Sequence, residues 1–423
     1  MFDFVFRNEI ERIKYASRKD SILFIDTNLG FDHAYRLAKD GQTVYYFINW
    51  QSAFPKLEDS ITGDGFKELK KIEDIGEVLD NVKYVMFVDI GFGSLADMLR
   101  KQGYYVFGTS SKAEKLESDR VFMIRQLKKL GIKVPESIVI KGKQNVVKYM
   151  SKHEGELHFI KLNKFRGNIE TFSVSSSLEA EIMLDQAGFG PYNDKVEFVV
   201  QKAVEDGVEI GLDVFFNGKY FIRPYFYTIE VKGAGTVGKY TEKSIWDEIF
   251  LDKIRPFLKQ SNYHGNISIE GFWDGKDFYA IDPCMRLPFP NSGIFPHFIK
   301  NYTDVIKAVA RGDDIKIEVD YPYYTQIGVY SDITDIWRRI QFDRKYRNKV
   351  GFRRIVKQNG YWVPPGDGLM ATALGCGNTY EESIKDALEV ADNIDGYSLY
   401  YIAHIDEDFN KKIMKLNQLN GGF

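Results

Sequence analysis

Short apolar runs alternate with amphipathic segments over the first quarter of the chain. SILFID and TVYYFI have the length of strands and flank a segment with helical periodicity, and a second unit of this kind spans residues 81–108. Such alternation predicts parallel βαβ units, whose ligand crevice lies at the carboxyl ends of the strands. We therefore expect an open parallel α/β domain over residues 1–110. Its glycine turns at Gly30 and Gly91–Ser94 either face that crevice or only form tight connections.

The pattern changes after Thr109. Residues 112–130 predict one charged amphipathic helix, and apolar strand pairs farther along the chain are joined at Asn217-Gly218 and Asp274-Gly275. These dipeptides favour two-residue hairpin turns. Residues 111–318 are therefore expected to form an antiparallel α+β unit.

The last part of the chain, residues 319–423, carries its own short elements. Three strand patterns are followed by TYEESIKDALEVADNI, which has the periodicity of a helix. This segment predicts a small third domain of α+β type.

Composition narrows the class of protein. Lysine and arginine number 57 against 60 aspartates and glutamates, a net charge of -3, so no overall basic field attracts nucleic acid or an anionic membrane. The first residues lack the apolar core of a signal peptide, and no apolar run has membrane-spanning length. We expect a cytoplasmic protein. Its two cysteines, Cys284 and Cys376, are too few for a disulfide framework.

Three segments of the middle unit carry residues suited to a nucleotide triphosphate. Arg120 begins a predicted helix, whose N-terminal end favours a phosphate. Lys161 ends a strand, and the turn after it (KFRGN) contains Lys164, Arg166 and Gly167, as a loop closing over a polyphosphate requires.

The third segment is a predicted hairpin with an acidic pair. Glu270 and Asp282 lie on adjacent antiparallel strands, where they can face the same side and hold a magnesium ion. Each of these patterns also occurs on ordinary solvated surfaces, and Arg286 has the alternative role of a structural salt-bridge partner. The order and spacing of the three segments along the chain are more specific evidence than any single segment.

That order resembles the ATP-grasp superfamily, and within it phosphoribosylamine-glycine ligase. Asp119-Arg120 precedes Gly131-Ile132-Lys133-Val134-Pro135 as the family's Asp-Lys pair precedes its strand entry, and GTSSKAEKLESD, KFRGN and VVQKAVEDGVEIGLDVF resemble neighbouring family segments. The resemblance implies an N-terminal open parallel α/β domain, a central ATP-grasp fold with a lid over about 136–203, and a small C-terminal α+β domain.

The resemblance also implies roles for individual residues. Lys202 and Val204 would offer backbone groups to adenine, Glu209 would bind the ribose hydroxyls, and Gln201 stands where the family has a glutamate. The residues that the resemblance assigns to ATP are Arg120, Lys161, Lys164, Gln201, Lys202, Val204 and Glu209.

The family's metal motif matches Glu270 followed by Asp282-Pro283-Cys284-Met285-Arg286. Cys284 stands where an asparagine oxygen normally contacts magnesium, and a neutral thiol is a poor ligand for a hard cation. Either that metal position is weakened, or water and Asp282 complete the coordination. Arg286 and Lys161 are implied to be catalytic, Arg286 by holding the transferred phosphoryl group or the carboxylate.

The N-terminal turns resemble those that bind the phosphorylated amine in the ligase. The positions concerned are Gly30, Asp32, His33, Gly93 and Ser94. The implied activity is ADP-forming ligation of a small-molecule carboxylate to an amine through an acyl phosphate, with ATP and Mg²⁺, or Mn²⁺ in its place. Glycine and phosphoribosylamine, of purine biosynthesis, are the reference substrates. A monomer or homodimer is expected.

Three alternatives remain open at this point. One is an ATP-grasp ligase for another amino acid and amine, which the VKGAGTVGKYT segment favours because its side chains differ from those of the ligase. Another is a non-catalytic nucleotide-binding relative. A dinucleotide-dependent dehydrogenase is disfavoured, because no Gly-x-Gly-x-x-Gly turn follows SILFID.

Overall fold

A computed structural model describes residues 18–48, 62–164 and 171–423. Arg166 and Gly167, which the sequence suggested for a phosphate-covering turn, lie outside the described residues. No helix of the described part is long and apolar enough to cross a membrane.

The N-terminal region is a five-stranded parallel sheet in the order β3-β2-β1-β4-β5. Two helices, α1 (Phe31–Lys39) and α2 (Gly93–Lys101), follow the first and fourth strands. The open parallel α/β fold expected from the sequence is confirmed. Its strands are β1 (Lys19–Asp26), β2 (Thr43–Ile48), β3 (Leu69–Ile72), β4 (Val82–Phe87) and β5 (Tyr105–Phe107).

Two short helices, α3 (Lys115–Ser118) and α4 (Arg120–Lys129), occupy the segment expected to form one helix. That prediction is wrong at Asp119. Its backbone is extended (φ -138°, ψ 98°), and its side chain accepts a hydrogen bond from the Phe122 N–H. Aspartate is a strong N-cap, so the chain starts a new helix there and places Arg120 at its first position.

A four-stranded antiparallel sheet follows, in the order β6-β9-β7-β8. Two helices cover it, α5 (Lys143–Met150) and α6 (Ser177–Gln186), and they bury Val146, Met150 and Leu184 against the sheet. This unit is called the lid sheet below. Its strands are β6 (Ser137–Lys141), β7 (His158–Leu162), β8 (Thr171–Val174) and β9 (Glu197–Lys202).

The largest sheet has eight strands in the order β14-β13-β10-β11-β12-β15-β20-β17. It is called the central sheet below. The strands on either side of the expected boundary at residues 318/319 belong to this one sheet, because β12 pairs with β15. The strands are β10 (Val208–Phe216), β11 (Tyr225–Val231), β12 (Gly235–Thr241), β13 (Gly265–Trp273), β14 (Phe278–Cys284), β15 (Tyr323–Tyr330), β17 (Val350–Gly351) and β20 (Leu369–Gly377).

The second half of the chain also contains five α-helices and a separate three-stranded sheet in the order β16-β19-β18. The helices are α7 (Asp252–Gln260), α8 (Phe295–Phe298), α9 (Tyr302–Arg311), α10 (Tyr380–Asp392) and α11 (Ile405–Gln418). The small strands are β16 (Arg338–Ile340), β18 (Val356–Lys357) and β19 (Tyr361–Val363).

The turn expected at Asp274-Gly275 is longer than predicted. Trp273 pairs with Phe278, so residues 274–277 form the connection instead of two residues. The Asp274 carboxylate accepts hydrogen bonds from the N–H groups of Lys276 and Asp277, which stabilises this wider turn. Asn217 begins a similar turn, closed by the pairing of Phe216 with Phe221.

Candidate functional site

One ion pair joins the lid sheet to the central sheet. Lys161 is near the end of β7 and Asp282 is on β14, and their Nζ and Oδ2 atoms are 3.2 Å apart. The lysine side chain is only 4 % exposed, whereas the carboxylate is 47 % exposed. Burial lowers the pKa of Lys161, and Asp282 offsets part of that effect. The sequence-predicted cation and acid therefore meet across the cleft between the two sheets.

Glu270 and Asp282 are direct partners in the register of β13 and β14. The structure thus brings together the acidic pair that the sequence suggested for a metal. Burial alone raises the pKa of Asp282, but the nearby Lys161 and Arg120 outweigh it and hold that pKa below its usual value. Asp282 is therefore ionised near neutral pH.

Glu270 has the opposite electrostatic environment. Burial, followed by the adjacent Glu230 carboxyl, raises the pKa of Glu270 well above its usual value, and the two carboxyls share a hydrogen bond. Glu230 lies at the end of β11 and was not identified from the sequence. Two carboxyls this close, with the pKa of Glu270 raised, form a site that nearby positive charge stabilises.

Two lysines partly supply that charge. Lys232 Nζ lies 3.0 Å from Glu209 Oε1 and 4.0 Å from Glu270 Oε2. Lys412, on the last helix, is 4.0 Å from the other oxygen of Glu209. Glu209, the residue expected to bind ribose, is therefore held between two cations from separate parts of the chain. Sequence reasoning missed both lysines.

Arg120 is held at the start of α4. Its guanidinium donates to the Leu162 carbonyl, and its backbone N–H donates to the Asn163 carbonyl at 3.2 Å. These bonds attach the helix start to the strand end that carries Lys161. Lys164 is 71 % exposed, and its Nζ is 3.9 Å from Asp119. Arg120, Lys161 and Lys164 are thus grouped at one end of the lid sheet.

The residues suggested for adenine follow at the end of β9. The Gln201 side chain is buried, and its amide nitrogen donates to Ser137 Oγ at 3.1 Å. The Lys202 N–H donates to the Glu136 carbonyl at 2.9 Å, so this backbone donor is already used within the lid sheet. Val204 is half-buried just beyond the strand, where the chain passes to β10.

Arg286 is fixed by two acids. Its Nε is 2.9 Å from Glu117 Oε1 and 3.1 Å from Asp89 Oδ1, and Glu117 also accepts the Met285 N–H at 2.8 Å. Burial lowers the pKa of Arg286, but Cys284, Glu117 and Asp89 outweigh it and raise that pKa above its usual range. Arg286 therefore carries a permanent charge at the junction of the parallel sheet, α3 and β14.

A cavity of about 190 Å³ opens between these groups. Cys284 lines it and is opposite Ser268 in the strand register, on the same side of β14 as Asp282. The cavity brings together both acids of the sequence-predicted metal pair with Arg120 and Arg286. Its wall consists of Leu116, Glu117, Arg120, Met123, Ser268, Glu270, Asp282, Pro283, Cys284, Arg286, Pro288, Phe289 and Asn291.

The N-terminal candidates are placed separately from that cavity wall. The Gly30 N–H donates to Asp26 Oδ1 at 2.9 Å. Asp32 is buried, and its Oδ2 accepts a hydrogen bond from the Phe352 N–H and lies 3.0 Å from His297 Nε2. These two groups therefore have structural partners within the protein.

His33 is also buried, which lowers its pKa to about 3 and keeps the ring neutral. It forms hydrogen bonds with Tyr302 Oη at 2.6 Å and Ser292 Oγ at 3.2 Å. Arg353, which was not identified from the sequence, lines a small cavity with His33 and lies 4.5 Å from the centre of the Phe289 ring.

The second glycine turn contacts the segment before Arg120. The Gly91 and Gly93 N–H groups both donate to Glu114 Oε2 at 3.0 Å. A Cβ on Gly93 would lie 2.6 Å from the Ser111 nitrogen, so the turn needs glycine at this position. Ser94 is exposed, with its Oγ 3.5 Å from Ser111 Oγ.

Comparison of the sequence with models of known protein families and with curated proteins finds no match. Solved structures do match in fold. Phosphoribosylamine-glycine ligase from Thermotoga maritima is 18% identical, with a TM-score of 0.66 over 90% of this chain and 98% of that one. N5-carboxyaminoimidazole ribonucleotide synthetase from Thermotoga maritima is 14% identical, with a TM-score of 0.63 over 90% and 100%.

A third similar structure was determined with nucleotide bound. The biotin carboxylase domain of Hydrogenobacter thermophilus 2-oxoglutarate carboxylase, in complex with MgADP, ADP and bicarbonate, is 12% identical. Its TM-score is 0.68 over 94% of this chain and 97% of that one. These structures, three different enzymes in all, share one architecture. The chain has the ATP-grasp fold.

Proposed function

We propose that this protein is an ADP-forming ligase that phosphorylates a carboxylate with ATP and joins it to an amine. The observation that carries the proposal is the meeting of Lys161 and Asp282 across the cleft, with Glu270 paired to Asp282 in register. A cation from the lid and two acids from the central sheet suit a polyphosphate with its divalent ion. The fold agrees, because the similar enzymes include carboxylate-amine ligases.

The acidic groups fit a magnesium ion. Burial and then Glu230 raise the pKa of Glu270, and burial and Glu209 raise the pKa of Glu230, so ionisation of both carboxyls is opposed by a charge pattern that a divalent cation relieves. Glu270 and Asp282 would hold the ion, with Mn²⁺ as a substitute, and Cys284 leaves one position to water or to a neighbouring oxygen. Bound there, the metal would offset charge on the phosphate oxygens.

The protein's own groups would do the remaining work. Lys161 and Arg120 would offset negative charge on the polyphosphate, and Lys164 would add charge at the edge of the lid sheet. Glu209 would accept the ribose hydroxyls by exchanging part of its contact with Lys232 and Lys412. Gln201, Lys202 and Val204 would border adenine.

Arg286 would orient the carboxylate or the transferred phosphoryl group without moving, because Glu117 and Asp89 already fix its guanidinium. A charge fixed in advance stabilises a transition state without reorganisation at the moment of reaction. The amine would then attack the acyl phosphate, forming the amide and releasing phosphate.

The proposal specifies the substrates less closely than the reaction. Glycine and phosphoribosylamine are the reference pair, with the amine near Gly30, Asp32, His33, Gly93 and Ser94. Because Asp32 and His33 are engaged with protein groups, a different amine is an equally serious candidate. We also propose domain boundaries at about residues 110 and 318. The protein is proposed to be a monomer or a homodimer.

The test is ADP release with MgATP and a panel of amino acids, each with and without amines. Asp282→Asn should reduce turnover by about 100-fold or more, the usual cost of removing one preorganised charge. The matched control is Asp277→Asn, on the same hairpin but in the turn, where the carboxylate pairs with the exposed Lys133. MgATP binding without ADP release under any condition would favour a non-catalytic nucleotide-binding protein. Equal turnover in the wild type and Asp282→Asn would contradict the proposed site.

A further inference from the structure

Three potential metal ligands converge at one edge of the lid sheet, away from the acidic pair on the central sheet. His153, Glu156 and His158 each offer one ligand atom, and these atoms all lie within 4.8 Å of one another. The segment connects α5 to β7. Within residues 18–48, 62–164 and 171–423, no other group of three histidine, cysteine, aspartate or glutamate side chains comes together this closely.

His158 is the most rigid member of the group. Its side chain is buried, and its Nδ1 is 3.0 Å from the Glu156 carbonyl oxygen. A carbonyl can only accept, so Nδ1 carries the proton and Nε2 keeps a lone pair. Metal-binding histidines characteristically donate their other ring N–H to a carbonyl or carboxylate in this way. The pairing of His158 with Lys202 in β9 fixes the backbone beneath the ring.

His153 is oriented by an aromatic neighbour. Its ring stacks on Tyr149, with centroids 4.4 Å apart and an interplanar angle of 29°. Its Nδ1 is 3.4 Å from Glu156 Oε1, and its ring centre is 5.5 Å from that of His158. The same tyrosine meets His158 edge-on at 5.8 Å. One aromatic ring therefore holds both imidazoles beside a carboxylate.

Glu156 has one competing partner. Its Oε2 is 2.8 Å from Lys202 Nζ, with both side chains more than 40 % exposed. Exposed ion pairs contribute little, so Lys202 is a weak competitor for a divalent cation.

We propose that His153, Glu156 and His158 form a binding site for a divalent transition metal, with Zn²⁺ as the preferred ion. Two imidazole nitrogens and one carboxylate oxygen are the donors that zinc takes, whereas magnesium prefers oxygen alone. With zinc-ligand bonds of about 2.0–2.2 Å, tetrahedral geometry needs ligand atoms about 3.4 Å apart. Small rotations of the half-exposed His153 and Glu156 side chains supply that contraction. A water molecule completes the coordination.

The experiment is a calorimetric titration of the full chain, free of any affinity tag, with ZnCl₂ in the presence of excess MgCl₂. Excess magnesium competes with Zn²⁺ for the acidic pair on the central sheet, whose carboxylate oxygens suit magnesium. One equivalent of Zn²⁺ is expected to bind. Single variants His153→Ala and Glu156→Gln should each weaken binding by about 10-fold or more. Titration with Co²⁺ should give the intense visible absorption of a tetrahedral ion, which both variants lose.

The matched control is His404→Ala. His404 and Glu407 are also three residues apart, with Nδ1 and Oε1 at 3.5 Å, but both are well exposed, and they belong to no group of three potential ligands among the described residues. This variant should bind Zn²⁺ as the wild type does. Equal loss in His404→Ala and His153→Ala, or no stoichiometric binding in the wild type, would overturn the proposal. Circular dichroism of each variant verifies that it is folded.

Discussion

Asp213 is a buried acid whose ionisation opposes folding. It lies on β10 with 2 % of its surface exposed, opposite Ser268 in the strand register. Burial raises its pKa from 3.8 to about 7, Ser268 offsets a small part, and Glu230 adds to the increase. Replacing Asp213 with asparagine keeps the shape of the protonated carboxyl and removes the charge.

The magnitude follows from linkage. In the unfolded chain the carboxyl loses its proton near pH 3.8, whereas in the folded protein it keeps the proton until about pH 7. Between these values the folded state binds more protons, so rising pH lowers stability by about 1.4 kcal/mol per pH unit. This loss of stability totals about 4 kcal/mol and does not grow further above about pH 7. Asp213→Asn lacks this contribution.

The assay is urea denaturation of both proteins from pH 4 to pH 9. The wild type should lose about 4 kcal/mol relative to Asp213→Asn as the pH rises from about 4 to about 7, with no further change above that. The control is Asp314→Asn, at an exposed position, whose difference in unfolding free energy from the wild type should not change with pH. A flat difference for Asp213→Asn as well would show that the carboxyl ionises in the folded protein as readily as in water, refuting the reasoning.

Three further substitutions test the site and its surroundings. Lys161→Met removes the buried cation beside Asp282 and should lower ADP release in steady-state assays by about 100-fold or more. The control Lys133→Met, which removes an exposed lysine paired with Asp277, should stay close to wild type. Cys284→Asn replaces a thiol with an oxygen donor and should lower the Mg²⁺ concentration needed for half-maximal activity; an unchanged requirement would place the thiol outside the coordination sphere. Gly93→Ala brings a Cβ within 2.6 Å of the Ser111 nitrogen and should reduce the free energy of unfolding by about 1–3 kcal/mol, measured by thermal denaturation.

Elements with strong periodicity were predictable from the sequence. Apolar runs such as SILFID form buried parallel strands. Strands of a parallel sheet are covered by helices on both faces, so a short apolar run between helical segments is typical of them. The sequence also placed Glu270 and Asp282 on adjacent strands of a hairpin, and the structure pairs them across a turn of four residues. Their direct pairing depends on a register shift between Glu270 and Gly271, because regular alternation from the Trp273–Phe278 pair would place Ile281 opposite Glu270.

Other features depend on contacts that no local pattern carries. β12 contains Gly235 and Gly238, which disfavour strands, and it forms because β11 and β15 pair with it on both sides. Lys412 reaches Glu209 across about half of the chain, so its role depends on where the last helix packs. Glu230 was missed for a similar reason: only the pairing of three strands places it beside Glu270.

The pairing of β12 with β15 decides how the protein divides. A chain cut after residue 318 would end with β12 as an open edge, with unpaired N–H and C=O groups over the length of five paired residues. The fragment from residue 319 onwards would present the matching edge of β15. Expressed separately, each fragment would be prone to self-association, whereas co-expressed fragments would find each other by restoring the missing strand pair. The boundary that the sequence indicates is therefore a place to split the protein into a complementing pair, and a poor place to truncate it.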